Sequence, residues 1–346
     1  EMNIRDWSSD VCSSDLGGAR AARIGVDPPC AAFRPRSRGL RPMIPLDRSD
    51  PVAAAHARGR PVVALESTVI AHGLPWPRNL EVAETLEGEI REAGAEPAII
   101  AVLDGRLRIG LDRAALERVA RAQGMAKLSR ADLAPILAAG GSGATTVAAT
   151  MIAARLAGIS VFATGGIGGV HRGAETSFDI SADLDELART SVTVVASGAK
   201  AILDLPKTLE ALETRGVPVI GWRTDVFPAF WSRQSGLPCP LRMDDAATVA
   251  RAHRLRAALG LAGGQLLVNP IPAEAEIPMA TLAPVIERAT AEAARRGVSG
   301  KGVTPALLAA VVEATGGRSL EANIALLRAN ARLAAEIAVA LTRETG

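Results

Sequence analysis

The sequence predicts an α/β domain built on a large, mixed and mostly buried sheet. Short runs of aliphatic and β-branched residues alternate with longer amphipathic stretches, the pattern of strands covered by helices. Asp104-Gly105 stands between two such runs, a hairpin signal that inserts an antiparallel pair into the order. Neither an internal repeat nor a long linker breaks the alternation, so one domain is expected.

In chain order, strands are expected over Pro61 to Glu66, Pro97 to Leu103, Arg106 to Leu111, Ser160 to Thr164, Ser191 to Ala196, Val217 to Trp222 and Gln265 to Asn269. Each is a short apolar run of strand length. Helices are expected over Arg78 to Ala93, Arg113 to Ala122, Thr145 to Leu156, Leu184 to Arg189, Leu209 to Arg215, Ala246 to Leu259, Ala280 to Arg296, Pro305 to Ala314 and Leu320 to Leu341. These stretches space their apolar residues three and four apart. Thr304 is expected to cap the helix that Pro305 opens, and Ser319 to cap the last one.

Composition narrows the function classes. The chain has 346 residues, 39 Lys and Arg against 37 Asp and Glu, three Cys and no Tyr. At 48% hydrophobic and 22% charged residues it has the material for a large core and is no disordered chain. Three Cys are too few for a disulfide-stapled fold. No run approaches the roughly 18 to 20 apolar residues that cross a bilayer.

Asp6 to Leu16, DWSSDVCSSDL, reads as the translation of a sequencing-adapter oligonucleotide. Gly17 to Pro42 is Arg-rich and lacks the apolar run of a secretory signal. Residues 1 to 42 are therefore expected to be a non-native, disordered leader, with Met43 as the native start and an Arg-rich transit peptide as the competing reading. The leader carries seven Arg and five acidic residues, which leaves 32 basic against 32 acidic over the 304 residues from Met43. A neutral chain offers no electrostatic footprint for nucleic acid or an anionic membrane. Cys12 and Cys30 fall in the leader, and Cys239 in GLPCP reads as a packed thiol in a reducing cytoplasm.

Only Lys127, Lys200, Lys207 and Lys301 are lysine, against 35 arginines, so each lysine needs a reason. Lys200 follows a buried-strand pattern and a Ser-Gly break. Lysine can lose its proton and attack a carbonyl where Arg cannot, although a lysine snorkelling from a strand end has the same pattern. Glu66 ends an apolar strand, as a pocket acid or as an exposed strand end. Lys127 in AKLSR reads equally as a surface residue.

Two glycine-rich segments precede helices or loops that could hold an anion. Gly140 to Thr146, GGSGATT, has no GK[ST] and is not a nucleotide P-loop. Thr164 to Gly173, TGGIGGVHRG, places His171 and Arg172 beside a turn and fails G-x-G-x-x-G. A plain tight turn explains either segment alone. Asp179 and Asp183 lie four apart across a helix start, a spacing that suits a hard divalent ion and an acid or base in one pocket. Capping by Ser181, with Asp183 favouring the helix dipole, explains the same residues.

Read together, ALESTVIAHGLP from Ala64, GATTVAAT around Val147, ATGGIGGVHRGA from Ala163, FDISADL from Phe178 and SGAK ending at Lys200 closely resemble the pseudouridine-5'-phosphate glycosidase family. The likeness covers Pro61 to Leu341. It implies reversible cleavage of pseudouridine 5'-phosphate to uracil and ribose 5-phosphate, a Mn ion with Mg as the alternative, a three-layer α/β/α sandwich and a homotrimer. Carried over by residue, it makes Lys200 the Schiff-base nucleophile, Glu66 the proton donor and Asp179 the metal ligand; the chemistry of ring opening adds Asp183 as a helper. Substrate contacts fall to Lys127, Val147, Ser181, Ala182 and Asp183. His171 joins them in the glycine-rich loop, and so does Asn323, facing uracil, although a helix cap would also explain an Asn there. Trp222 and Trp231 stand where aromatic residues are usual.

The chemistry needs these types. An ordinary glycosidase protonates a leaving oxygen between two carboxylates, and a sugar bonded to uracil C5 offers no such oxygen. An amine that forms an imine at C1' supplies an electron sink instead. Another Schiff-base sugar-phosphate lyase or aldolase would share Lys200 and the loops, and a non-catalytic sugar-phosphate sensor would need only the loops.

Overall fold

The computed structural model describes residues 44–298 and 302–343. The expected leader and Lys301 lie outside the described residues. Eleven strands among the described residues form one sheet, in the order β1-β4-β3-β2-β7-β8-β11-β9-β10, with β6 branching from β3 and β5 pairing β6. The strands are β1 Leu46–Arg48, β2 Val62–Glu66, β3 Glu96–Leu103, β4 Arg106–Ile109, β5 Ala126–Leu128, β6 Gly143–Thr145, β7 Val161–Ala163, β8 Thr193–Ala196, β9 Val219–Trp222, β10 Leu241–Met243 and β11 Gln265–Val268. From β3 through β10 the pairs along the main path are parallel. The mixed character enters at β3, whose pairs with β4 and β6 are antiparallel.

All seven expected strands are present, and Asp104-Gly105 turns between β3 and β4 with both residues at positive φ. β1, β5, β6 and β10 went unforeseen because each has three residues, too few to show a period. Every position of β3, β7, β8 and β11 is buried, so helices cover both faces of the sheet in the expected α/β/α sandwich.

The helices are α1 Asp50–Ala57, α2 Arg78–Glu92, α3 Arg113–Arg121, α4 Leu133–Ala138, α5 Val147–Ala157, α6 Ala174–Ser177, α7 Ala182–Leu187, α8 Leu205–Thr214, α9 Ala246–Ala258, α10 Met279–Arg295, α11 Val303–Ala314 and α12 Arg318–Arg343. α1, α4 and α6 were not foreseen; each has eight residues or fewer. α8 starts four residues before its expected Leu209, where Asp204 caps it by accepting the Lys207 N–H. Both expected caps are corrected. α11 starts at Val303, so Thr304 lies within its first turn. α12 starts at Arg318, and the Ser319 N–H is taken by the Thr315 hydroxyl.

α12 packs across β2, β7 and β8 and against α2. Buried Glu89 of α2 accepts from Arg328 (2.7 Å) and Arg332 of α12. The parallel strands send their C-terminal ends to one edge, where open α/β sheets bind ligands at the point of strand-order reversal. That point lies between β2 and β7, because β3 follows β2 on the opposite side. Among the described residues, no helix is long and apolar enough to cross a membrane.

Candidate active site

A cavity of about 840 Å³ opens at this edge. Lys200, Glu66, Asp183, Lys127, Val147, Ser181, Ala182, Asn323, His171 and Asp179 all line it. The fold thus gathers every expected site residue into one place.

Lys200 is carried there by backbone. β8 ends at Ala196, and Gly198 turns the chain at φ +82°, where a Cβ would lie 2.2 Å from the Pro228 carbonyl oxygen. Only glycine fits. Beyond the strands the pairing continues: Ser197 N–H donates to Gly165 C=O (2.9 Å), Ile167 N–H to Gly198 C=O (3.1 Å) and Lys200 N–H to Ile167 C=O (3.1 Å). The nucleophile candidate is therefore laced to the glycine-rich loop that follows β7.

Glu66 ends β2 beside β7 and accepts a hydrogen bond from the Thr164 hydroxyl. Its carboxyl faces the cavity, yet the surrounding protein strips most of its water. Burial pushes its pKa up and nearby Asp183 adds to the rise, while Lys200, the Thr164 hydroxyl and Lys127 pull it partly back. A carboxyl shifted upward stays protonated at higher pH, the property a proton donor requires.

Ser181 does cap α7, its hydroxyl accepting the Asp183 N–H at 3.2 Å. The Asp183 carboxylate accepts the Ala148 N–H of α5 (2.9 Å) through one oxygen and the Gly168 N–H (2.8 Å) through the other. A Cβ on Gly168 would sit 2.3 Å from the Ser181 hydroxyl, so the loop approaches α7 only as glycine. These bonds correct the reading of GGSGATT as an anion cradle. Gly141 accepts the Gly105 N–H and the Ser142 hydroxyl accepts the Asp104 N–H, which buttresses the hairpin. Only Thr146 and Val147 of this region line the cavity, and the Thr146 hydroxyl is buried without a protein partner among the described residues.

The His171 N–H donates to the Asp179 carbonyl at 3.0 Å. Burial holds the imidazole below its ordinary pKa, with Lys200 and Lys127 adding to that and Asp179 opposing it. Arg172, expected beside it, is not among the residues lining the cavity. No three His, Cys, Asp or Glu side chains come together as a metal cluster among the described residues. Asp179 offers one carboxylate, and an Mg- or Mn-type ion that keeps several waters fits such a sparse donor set.

Asn323 lies inside α12, five residues past its start, so the capping alternative falls. Its side-chain oxygen accepts the Trp231 indole N–H at 2.6 Å, which leaves its amide N–H groups as the donors this cavity-lining residue can offer. Pro305, Leu308 and Val312 of α11 and Phe230 form an apolar wall there. Sequence reasoning missed Arg130, which lines the cavity while its guanidinium holds the buried Glu186 carboxylate. It also missed His72, although its Gly73-flanked motif pointed there. Cys239 stands apart from the cavity-lining residues, and burial raises its thiol to about 11, in keeping with a packed, unreactive group.

A family model described as indigoidine synthase A like protein matches residues 51–340. The pseudouridine-5'-phosphate glycosidase of Jannaschia sp. (strain CCS1) is 64% identical over 299 residues, 86% of this chain and 99% of that protein. The protein of the same name from Paracoccus denitrificans is 65% identical over 304 residues, 87% and 99% of the two chains. Among solved structures, the prealnumycin C-glycosynthase AlnA in complex with ribulose 5-phosphate superposes with a TM-score of 0.81 at 43% identity, over 87% of this chain and 98% of that one. An indigoidine synthase A-like protein from Thermotoga maritima gives 0.79 at 38% identity, over 87% and 97%.

Proposed function

The chain belongs to the pseudouridine-5'-phosphate glycosidase family, and from that premise we propose that it reversibly cleaves pseudouridine 5'-phosphate into uracil and ribose 5-phosphate. The observation that carries the reading is the placing of the Lys200 amine, beyond β8, and the upward-shifted Glu66 carboxyl, at the end of β2, in one cavity on either side of the end of β7.

In the cleavage direction, the neutral Lys200 amine bonds to C1' as the C1'–O4' bond breaks, with Asp183 assisting the proton transfer to O4'. Glu66 then hands its proton to uracil C5. The electrons of the C1'–C5 bond go to C5, and the nitrogen lone pair forms the C=N bond of an iminium. Water adds at C1', the imine hydrolyses, and ribose 5-phosphate leaves with Lys200 restored. Lys127 and Arg130 meet the phosphate, and His171, Ser181, Ala182 and the Val147 region hold the sugar. Asn323 donates to a uracil carbonyl. Binding the phosphate remotely orients C1' against Lys200, where positioning energy lowers the barrier.

A divalent ion, Mn or Mg, held by Asp179 and water, would supply positive charge to substrate oxygens. The family resemblance adds a homotrimer to the proposal, and the sparing use of cysteine a reducing, cytoplasmic location. The AlnA complex supports the sugar-phosphate part, because that relative holds ribulose 5-phosphate in the same fold.

The test is turnover of pseudouridine 5'-phosphate with and without Mn, alongside borohydride trapping with ribose 5-phosphate. The expected result is release of uracil and a reduced adduct on Lys200. A chain that consumes no pseudouridine 5'-phosphate, or an adduct only on Lys207 or Lys301, overturns the proposal.

A further inference from the structure

We propose that Asn330, which lies behind the cavity, is a positioning residue that holds the Glu66 and Lys200 strand ends in register for the reaction. This deepens the glycosidase reading and rests on it. Asn330 is fully buried in the interior of α12, a place where Asn is a poor helix former and an aliphatic residue would pack more simply. Its hydrogen-bonding capacity is spent across three strand ends. One amide group donates to the Thr164 carbonyl after β7 (2.9 Å) and to the Ser197 hydroxyl after β8 (3.1 Å). The side-chain oxygen accepts from Asn269 after β11 (3.1 Å), with the Ser197 hydroxyl 3.4 Å away.

Two of these contacts, Thr164 and Ser197, sit one step from a reacting group. Thr164 is the residue whose hydroxyl donates to Glu66. Ser197 opens the Ser-Gly-Ala turn that delivers Lys200, and its own N–H and C=O are tied to Gly165 and Phe230. Asn330 is absent from the cavity lining, so it touches no substrate and acts through Thr164 and Ser197. Asn323, seven residues earlier on the same helix, does line the cavity. Two helical turns apart, the two residues share a face, one meeting ligand and the other holding the frame.

The experiment compares wild type, Asn330→Leu and Ser197→Ala on pseudouridine 5'-phosphate, with melting followed by circular dichroism. In folded Asn330→Leu, kcat is expected to fall roughly 100-fold with KM changed less than about threefold, the mark of misplaced reacting groups and intact binding. Ser197→Ala keeps the Thr164 bond and is expected to lose roughly threefold to tenfold in kcat alone. A purely structural role would lower the melting temperature and leave kcat per folded molecule unchanged, and that result overturns the inference. If Asn330→Leu does not fold, Ser197→Ala decides: an unchanged kcat refutes it and a fall at constant KM supports it. A wild type without turnover defeats the functional reading itself, whereas an active wild type with insensitive variants defeats only the role of Asn330.

Discussion

Trp231 donates its indole N–H to the side-chain oxygen of Asn323 at 2.6 Å, so the orientation of the Asn323 amide is fixed before any ligand arrives. Trp231 is fully buried and packs its ring against Phe230, centroids 5.0 Å apart. Trp231→Phe keeps most of the packing and removes the donor. The expected cost in stability is about 0.5–1.5 kcal/mol, that of one lost hydrogen bond, because Asn323 is half-buried beside the cavity. With the amide free to flip, KM for uracil in the synthesis direction should rise while KM for ribose 5-phosphate stays level. Steady-state kinetics with each co-substrate varied checks this; a parallel rise in both would detach Asn323 from the uracil end.

Lys200→Arg keeps a positive charge and removes the amine that can deprotonate. Turnover is expected to fall by about a thousandfold or more, on the scale of losing a covalent nucleophile, and the borohydride adduct to vanish. Activity retained by the arginine variant would make the residue an electrostatic partner only.

Much of this was legible in the sequence because it rests on strand ends and glycines. Glu66 and Lys200 close apolar runs, and Gly168 and Gly198 stand where a Cβ would strike the Ser181 hydroxyl or the Pro228 carbonyl oxygen. Asp183 was only half legible. Its spacing from Asp179 suggested both chemistry and a helix start; the structure shows the helix start, places Asp183 in the cavity lining and adds two backbone bonds from remote segments, Ala148 and Gly168. Arg130, Trp231 and Asn330 were illegible for one reason: each works through a partner 56 to 166 residues away, Glu186, Asn323 and Ser197 or Thr164. Local periodicity carries no such pairing. The caps misplaced at Thr304 and Ser319 are the opposite failure, in which a good local signal stands inside a helix that starts earlier.

Asp183→Asn tests that double bond. Asn has one acceptor oxygen, so one of the two N–H groups, from Ala148 or Gly168, would face an amide N–H₂ instead. The expected outcome is a loss of about 1–3 kcal/mol in unfolding free energy together with a large drop in kcat. Urea denaturation beside a single-turnover assay separates the two effects. A variant as stable as wild type would show that the two backbone bonds do not brace the loop.

Glu66→Gln has a pH signature whose sign follows from the direction of the Glu66 shift. Its carboxyl titrates above the ordinary range in the folded protein, chiefly because it is buried, so the folded state binds this proton more tightly than the unfolded chain. Stability from the group is then fully present below the unfolded value of about 4.3. It is lost as pH rises from there through the raised folded value. At neutral pH, wild type therefore bears the cost of either a buried charge or an unfavourably retained proton. The glutamine variant bears neither, and its amide oxygen can still accept from Thr164. The variant should melt higher than wild type at pH 7, with the gap closing toward pH 4, while cleavage is abolished for want of a proton at uracil C5. The same shift predicts that wild-type cleavage declines on the alkaline side as Glu66 loses its proton. Differential scanning calorimetry across this pH range checks the first part, and a glutamine variant that melts lower than wild type at every pH would show that Glu66 stabilises the fold as a charged partner of Lys200.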